Sequence, residues 1–218
     1  MISIQPPKFV GLMVLLVACT VSLFTGCSGQ IPTKSEIDSS VTYPEEYLIS
    51  YQVETETGVI TTLTKGIDAS GNIYYKDADD ETLYALHDGK YTKYSRASDG
   101  AILADESQLF TVDYVKTATS AFAEYAGKST MSFSGSAKSN GTGSVAGRNT
   151  NSYLISVSFA NFTQEYRFEQ DDVTGICLQW VSSKAVGSHD VSETTGDFIC
   201  TEYIDGDVSL PISESDAH

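Results

Sequence analysis

The sequence has few positive charges, and this shortage limits the partners that the chain can bind. Only 13 of its 218 residues are Lys or Arg, against 29 Asp and Glu, which gives a formal net charge of −16. Such a chain is repelled by the phosphates of nucleic acids and by anionic lipid headgroups. Nucleic-acid binding is therefore excluded, and so is membrane attachment by surface charge.

Histidine is also scarce, which argues against most hydrolytic and metal chemistry. The three histidines are His87, His189 and His218, and we expect them in turns, in loops or at the terminus. A nucleophilic hydrolase needs a Ser or Cys beside a base that an acid orients, and no Gly-x-Ser-x-Gly elbow occurs. Cys177, Cys200 and His189 supply too few soft ligands for structural zinc. We therefore predict that the chain is not an enzyme and has no catalytic residue, metal or cofactor.

The acidic cluster at Asp77, Asp79, Asp80 and Glu81 is dense enough to raise the question of calcium binding. An EF-hand loop needs a glycine at its sixth position and a bidentate acid at its twelfth, and this segment has neither. We interpret the cluster as a solvated acidic turn.

Long apolar runs are missing except at the N-terminus. Phe9 to Phe24 is almost wholly apolar, but it is shorter than the about 20 residues that a membrane-spanning helix needs. The small residues before Cys27, in Leu23-Phe24-Thr25-Gly26-Cys27, resemble the end of a bacterial lipoprotein signal. The resemblance implies removal of residues 1–26 and a diacylglycerol and palmitate-type acyl anchor on Cys27. It also implies an extracytoplasmic protein held on the bacterial membrane.

Cys19 is a second candidate for lipidation, because Leu16-Val17-Ala18-Cys19 fits the same pattern. Its use would leave an apolar core of only Phe9 to Leu16 and would expose Val21 to Phe24 to water. An ordinary secretory signal or an uncleaved anchor would also account for the apolar run. We favour Cys27, since the polar run Ser28-Gly29-Gln30 behind it suits an exposed tether.

Composition divides the rest of the chain. Residues 27–44 form the lipidated Cys and a flexible polar tether, 45–205 a folded domain, and 206–218 an acidic tail that we expect to be frayed. Removal of residues 1–26 leaves 12 basic and 29 acidic residues, a net charge of −17. Attachment to a membrane then depends on the acyl chains alone.

Between residues 45 and 205 apolar and polar residues mostly alternate, as they do in half-buried β-strands. Asp88-Gly89 separates Thr82–His87 from Lys90–Arg96, and an Asp-Gly pair between two β-rich segments predicts a tight hairpin. Turn residues between the other segments predict about ten antiparallel strands. The residues predicted to face the interior include Tyr47, Ile49, Tyr51, Val53, Tyr153, Ile155, Val157, Phe159, Ile176, Leu178 and Trp180.

The alternation is interrupted once, between Asp105 and Ala126. Apolar residues recur there every three or four positions and Gly127 ends the pattern, which predicts one helix near 105–126. Residues 129–144 are rich in Ser and Gly, and we expect a flexible loop around a weak strand at Met131–Phe133.

Cys177 and Cys200 form a candidate disulfide. If Ile199 and Tyr203 face inward, both cysteines lie on the outer face of a hairpin centred near Ser188, at a separation that a disulfide can bridge. Two reduced, buried thiols would fit the same pair of cysteines.

Two short stretches suggest a family. Ser144-Val145-Ala146-Gly147-Arg148 followed by Tyr153, and Asp172-Val173-Thr174-Gly175-Ile176-Cys177-Leu178, resemble a strand entry and an acidic turn of the lipoprotein-carrier superfamily, the LolA-like and LppX-like half-barrels. The resemblance covers about residues 45–205. It implies a mainly β (α+β) fold, a strongly curved antiparallel half-barrel of about ten strands with one helix inserted near 105–126. It also implies an apolar cleft for acyl chains or a lipoprotein segment.

Aromatic residues supply the remaining chemistry. Tyr51, Tyr75, Phe122 and Trp180 are candidate lining residues of that cleft by their faces alone. We therefore predict non-catalytic binding of a lipid or another apolar ligand between sheet and helix. The competing hypothesis is that these aromatics pack the core and that the chain is a cell-surface protein–protein interaction or scaffold module with no ligand. If the helix fills the concave face, the ligand prediction fails.

Overall fold

A computed structural model describes residues 41–55, 57–128, 135–159, 162–187 and 197–217. This part of the chain contains eleven strands, two short helices and one 3-10 turn at Glu214–Asp216. The strands are β1 Tyr47–Glu54, β2 Ile60–Ile67, β3 Ile73–Asp77, β4 Asp80–His87, β5 Lys90–Arg96, β6 Ile102–Phe110, β7 Gly135–Val145, β8 Arg148–Phe159, β9 Phe162–Asp171, β10 Cys177–Gly187 and β11 Phe198–Asp205. The helices, between β6 and β7, are α1 Val112–Ala118 and α2 Ser120–Ala126.

All eleven strands belong to one antiparallel sheet, in the order β6-β5-β4-β3-β2-β1-β11-β10-β9-β8-β7. The sheet does not close, and it curves as a half-barrel with the helical segment inserted between its two edge strands. The predicted mainly β fold is confirmed, with eleven strands in place of about ten.

The helices cover one face of the sheet, which we call the inner face, and the opposite face is the outer face. Tyr47, Ile49, Tyr51 and Val53 of β1 all point inward and are buried, as their alternation predicts. They pack in a core that also contains Phe122 of α2. No helix in the described residues is long and apolar enough to cross a membrane.

The hairpin predicted at Asp88-Gly89 is confirmed. Both residues have positive φ, 49° and 76°, and they join His87 of β4 to Lys90 of β5. Positive φ at both central positions matches the right-handed twist of the flanking strands, which is why an Asp-Gly pair is favoured there.

The helix prediction was too long. Residues 105–110 belong to β6, and α1 begins only after Thr111, whose side-chain oxygen accepts a hydrogen bond from the backbone N–H of Tyr114. The helical segment is also interrupted at Thr119. The apolar residues of the segment pack in two separate clusters, one with Val115 and the other with Phe122. The break in the helix lies between these two residues.

The prediction of a flexible loop over residues 129–144 was wrong for its second half. Gly135–Val145 form β7, an edge strand paired along its length with β8. Ala146-Gly147, with φ of 50° and 77°, makes the tight turn that sets this pairing. The weak strand predicted at Met131–Phe133 lies outside the described residues.

The C-terminal residues are not frayed. Val208, Leu210 and Ile212 pack on the outer face of the sheet against Leu48, Tyr74, Leu83 and their neighbours, and Ile212 is only 2% exposed. Gly66 leaves room for the side chain of Leu210, because a Cβ at position 66 would lie only 2.9 Å from Leu210 Cδ2. We call residues 208–217 the C-terminal segment.

Candidate functional site

Three of the four predicted lining residues meet in the core. Tyr51, Phe122 and Trp180 are at most 1% exposed and belong to one cluster on the inner face. The ring of Tyr51 lies 5.5 Å from that of Phe122 and 5.4 Å from that of Phe198, and its hydroxyl donates a hydrogen bond to the carbonyl oxygen of Cys177 at 2.8 Å. Within the described residues of the inner face, these rings are therefore packed against other side chains.

Trp180 is enclosed in the same way. Its ring stacks on Tyr166 at 5.0 Å and meets Phe168 edge-on at 5.9 Å. The Lys128 ammonium lies 4.6 Å above the Trp180 ring and 5.4 Å from that of Phe198, within cation–π range. Burial lowers the pKa of Lys128.

Tyr75, the fourth predicted residue, lies on β3, where it packs against the same cluster and is only half-buried. It pairs with Lys65 of β2, whose ammonium donates a hydrogen bond to Thr119 Oγ1 at 3.1 Å. Burial lowers the pKa of Lys65, and burial together with the charge of Asp77 raises the pKa of Tyr75 to about 12. Lys65 thus attaches the sheet to the joint between the two helices.

Cys177 and Cys200 are both buried in the inner core. The expected placement of both on the outer face was wrong. The pairing of β10 with β9 is irregular between Cys177 and Gln179, and a bulge lies between Ser50 and Tyr51 in the pairing of β1 with β11. This bulge reverses the alternation, so that Cys200 points inward and Ile199 is 39% exposed. Burial raises the pKa of Cys200 to about 12 and raises that of Cys177 as well. The disulfide stays a prediction.

Arg148 joins the two stretches on which the family resemblance depends. Its Nε donates to Asp171 Oδ2 at 2.8 Å and its Nη2 to Asp171 Oδ1 at 3.2 Å. The backbone N–H and the hydroxyl of Thr174 also donate to Asp171 Oδ1, each at 2.7 Å. Burial alone would raise the pKa of Asp171, but the hydrogen bonds from Arg148 and Thr174 lower it below its ordinary value.

This junction also reaches the end of β11. The Arg148 guanidinium lies 4.5 Å from the centre of the Tyr203 ring, and its Nη1 is 3.5 Å from Asp205 Oδ2. The Asp171 side chain is fully buried. This hydrogen-bonded ion pair therefore connects β8 structurally to the turn between β9 and β10.

The acidic cluster forms the β3–β4 turn, as interpreted from the sequence. Asp77, Asp79 and Asp80 are exposed, whereas Glu81 forms an ion pair with Arg96 and accepts a hydrogen bond from the hydroxyl of Tyr74 at 2.6 Å. Among the described residues no three His, Cys, Asp or Glu side chains gather as metal ligands.

The histidines do not form a site in the described part of the chain. His87 Nε2 lies 2.9 Å from Glu214 Oε2, an exposed contact that connects β4 to the C-terminal segment. His189 and His218 lie outside the described residues.

A groove on the outer face was not anticipated from the sequence. It has a volume of about 150 Å³ and lies across the ends of four neighbouring strands, β2, β1, β11 and β10. Its apolar members Ile60 and Ile199 are 66% and 39% exposed. The complete lining, which we call the outer groove, is Gln52, Glu54, Ile60, Val181, Asp197, Phe198 and Ile199. The sequence analysis placed Ile199 on the inner face, whereas the bulge turns it to the outer face. For this reason the groove was not predicted.

A second, larger cavity of about 370 Å³ lies under the C-terminal segment. Its walls are mostly polar and include Asp68, Asn72, Ser213 and Glu214. Asp68 is engaged within its own turn, where it accepts hydrogen bonds from the backbone N–H and the side chain of Asn72. The apolar members Leu83 and Ile212 of this cavity are almost completely buried, whereas Ile60 and Ile199 of the outer groove are exposed.

No protein-family model and no curated protein matches this chain, whereas solved structures resemble it at low identity. Three of them are MucB (14% identity, TM-score 0.39, 85% of this chain and 61% of that one), MucB in complex with MucA(peri) (14%, 0.37, 84% and 56%) and the Pseudomonas aeruginosa MucA/MucB complex (16%, 0.36, 79% and 57%). This chain spans less than two thirds of the length of each of these three chains. At these identities and TM-scores the likeness carries no argument about function.

Proposed function

We propose that this chain is a non-catalytic, extracytoplasmic binding protein that recognises a protein partner through its surface. In this proposal a lipid on Cys27 holds the domain at the membrane, and the folded domain serves as a recognition module. The proposal depends on one observation, namely that the predicted lining residues Tyr51, Phe122 and Trp180 are buried in the core of the inner face.

The packing of the inner face favours a protein partner over a small apolar ligand. Tyr51, Phe122 and Trp180 are in contact with other aromatic rings and are at most 1% exposed. An acyl chain in this place would have to displace them, and each buried apolar side chain contributes about 1.5–3 kcal/mol to stability. The binding energy of the ligand would therefore have to exceed the stability lost by displacing several buried side chains.

The acyl-ligand hypothesis keeps one supporting observation. Tyr75 is only half-buried, so the inner face is less tightly covered beside β3 than over β1. A ligand of the predicted kind would therefore contact Tyr75 first, and this position separates the two hypotheses.

Photo-crosslinking in the native host tests the proposal on the full-length chain. A photoreactive phenylalanine replaces Leu109, Val173 or Ile199, which are exposed apolar residues on separate parts of the surface, and in a fourth variant it replaces Tyr75. We expect a discrete adduct with one identified protein from at least one of the three surface positions. A lipid adduct at Tyr75, with no protein adduct from any surface position, would overturn the proposal.

A further inference from the structure

The outer face of the sheet is apolar in two regions, and they differ in what covers them. One region, around Leu48, Tyr74 and Leu83, is covered by the C-terminal segment and is almost completely buried. The other is the outer groove, where Ile60 and Ile199 remain 66% and 39% exposed. Ile60 of β2 and Ile199 of β11 lie on either side of β1 and line the same groove, and exposed apolar side chains in a groove are a common mark of an interaction site.

The covered region shows how this face accommodates a peptide. In the C-terminal segment Val208, Leu210 and Ile212 alternate with Ser209 and Pro211, and these three apolar side chains contact the sheet. An extended chain places every second side chain on the same side, so such a segment presents a row of apolar groups to the sheet. The same face therefore packs against a segment with alternating apolar residues in one of its two apolar regions.

The size of the outer groove argues against a small organic ligand. Sites for such ligands usually measure about 300–1,000 Å³, and the outer groove measures about 150 Å³. A groove of this volume, open along the sheet, accommodates one or two side chains of a longer peptide.

The charges at the outer groove define the occupant further. Its described lining residues include the carboxylates of Glu54 and of Asp197, which is 8% exposed, and none of them is a Lys or Arg. Asp197 is held in place by Ser182, whose backbone N–H and hydroxyl donate to its two oxygens at 2.9 and 2.8 Å. An occupant with a Lys or Arg beside its apolar residues would complement this rim.

We infer that the outer groove binds an extended segment of another protein, in which apolar residues alternate and at least one Lys or Arg is present. A second copy of this chain is disfavoured, because each copy carries a formal charge of −16 and the copies repel each other. The inference rests on the proposed function and adds the surface and the chemistry of the partner.

Peptide binding to the full-length chain in detergent tests this inference. The probe is a short capped peptide that alternates lysine with isoleucine, and fluorescence anisotropy at physiological ionic strength measures its affinity. We expect saturable binding that weakens about tenfold in Ile60→Gln and in Ile199→Gln, equivalent to about 1.4 kcal/mol for each lost contact. Leu103→Gln is the matched control, because Leu103 is 53% exposed but lies on β6, outside the groove, and we expect no change in affinity.

Several results would overturn the inference. These are no saturable binding to the wild type, equal affinity for a lysine–serine peptide of the same charge, or equal weakening by Leu103→Gln. Self-association of the wild type in sedimentation, abolished by Ile199→Gln, would make a second copy the occupant and would also overturn it. In each case protein adducts from Leu109 or Val173 would still support the proposed function, so the two failures are distinguishable.

Discussion

The guanidinium of Arg148 donates hydrogen bonds to both carboxylate oxygens of Asp171, at 2.8 and 3.2 Å. Arg148 begins β8, and Asp171 ends β9 at the turn that leads into β10. This bidentate pair fixes the ends of three strands relative to one another, and bidentate geometry is the strongest form of such a contact.

Asp171→Asn is expected to destabilise the protein by about 3 kcal/mol, because it leaves the partly buried Arg148 paired, among the described residues, only with the more distant Asp205 at 3.5 Å. Urea unfolding, followed by the fluorescence of Trp180, measures the change. His87→Gln is the control, since His87 and its partner Glu214 are both exposed. We expect a loss of at most about 1 kcal/mol there, and an equal loss in both variants would contradict the assigned role of Asp171.

The same carboxyl group predicts a dependence of stability on pH. The folded-state pKa of Asp171 is lowered, so its contribution is present above the unfolded-state pKa and is lost as the pH falls through the folded-state value. We therefore expect the free energy of unfolding to fall below about pH 4, the ordinary value for Asp. Asp171→Asn should reduce this slope, and an unchanged slope in chemical unfolding across that range would refute the assignment.

The buried thiols predict a labelling pattern. Burial raises the pKa of both Cys177 and Cys200, and a thiol that is not ionised and not accessible reacts slowly. We expect iodoacetamide to label neither residue in the native protein and both after unfolding without reductant. If iodoacetamide labels the unfolded protein only after a reductant is added, the two cysteines form the disulfide predicted from the sequence.

The C-terminal segment is expected to contribute to stability. Ile212 is 2% exposed, and replacement of a buried Ile by Ala usually costs about 2–5 kcal/mol. Ile212→Ala should therefore lower the urea midpoint and increase hydrogen exchange in the segment. Ser209→Ala, at an exposed position of the same segment, should do neither. Similar effects of the two substitutions would show that the segment is not anchored by Ile212.

Lipidation at Cys27 is tested by metabolic labelling with an alkyne analogue of palmitate. We expect label on the wild-type chain and on Cys19→Ala, and loss of label in Cys27→Ala, because Cys27 follows the longer apolar core and precedes a polar tether. Label that disappears in Cys19→Ala instead would identify Cys19 as the modified residue.

Local chemistry was enough to predict much of the fold. The alternation from Tyr47 to Val53 and the Asp88-Gly89 turn depend on residues close in sequence, and both are present as predicted. The prediction failed where distant pairing decides the structure. Gly135–Val145 has a loop-like composition, yet it is a strand because β8 pairs with it.

The errors at the candidate sites have the same origin. A single bulge opposite Ser50 and Tyr51 reverses the faces of Ile199 and Cys200, and alternation read along one strand cannot reveal it. The aromatic residues Tyr51, Phe122 and Trp180 lie on the predicted face. Their burial depends on where the helices pack, which the alternation along a strand does not reveal.

The sheet order also bears on how the chain folds. Within the described residues, β1–β6 and β7–β11 are each meanders of neighbouring strands, and β1 with β11 is the one strand pairing that joins them. Ser50 and Glu202, which face each other across this seam, are 152 residues apart in sequence. Contacts this distant form late and slow the folding of a domain. The pairing of β1 with β11 therefore cannot form until β11 has been synthesised, and until then the edge of β1 stays open to wrong pairing.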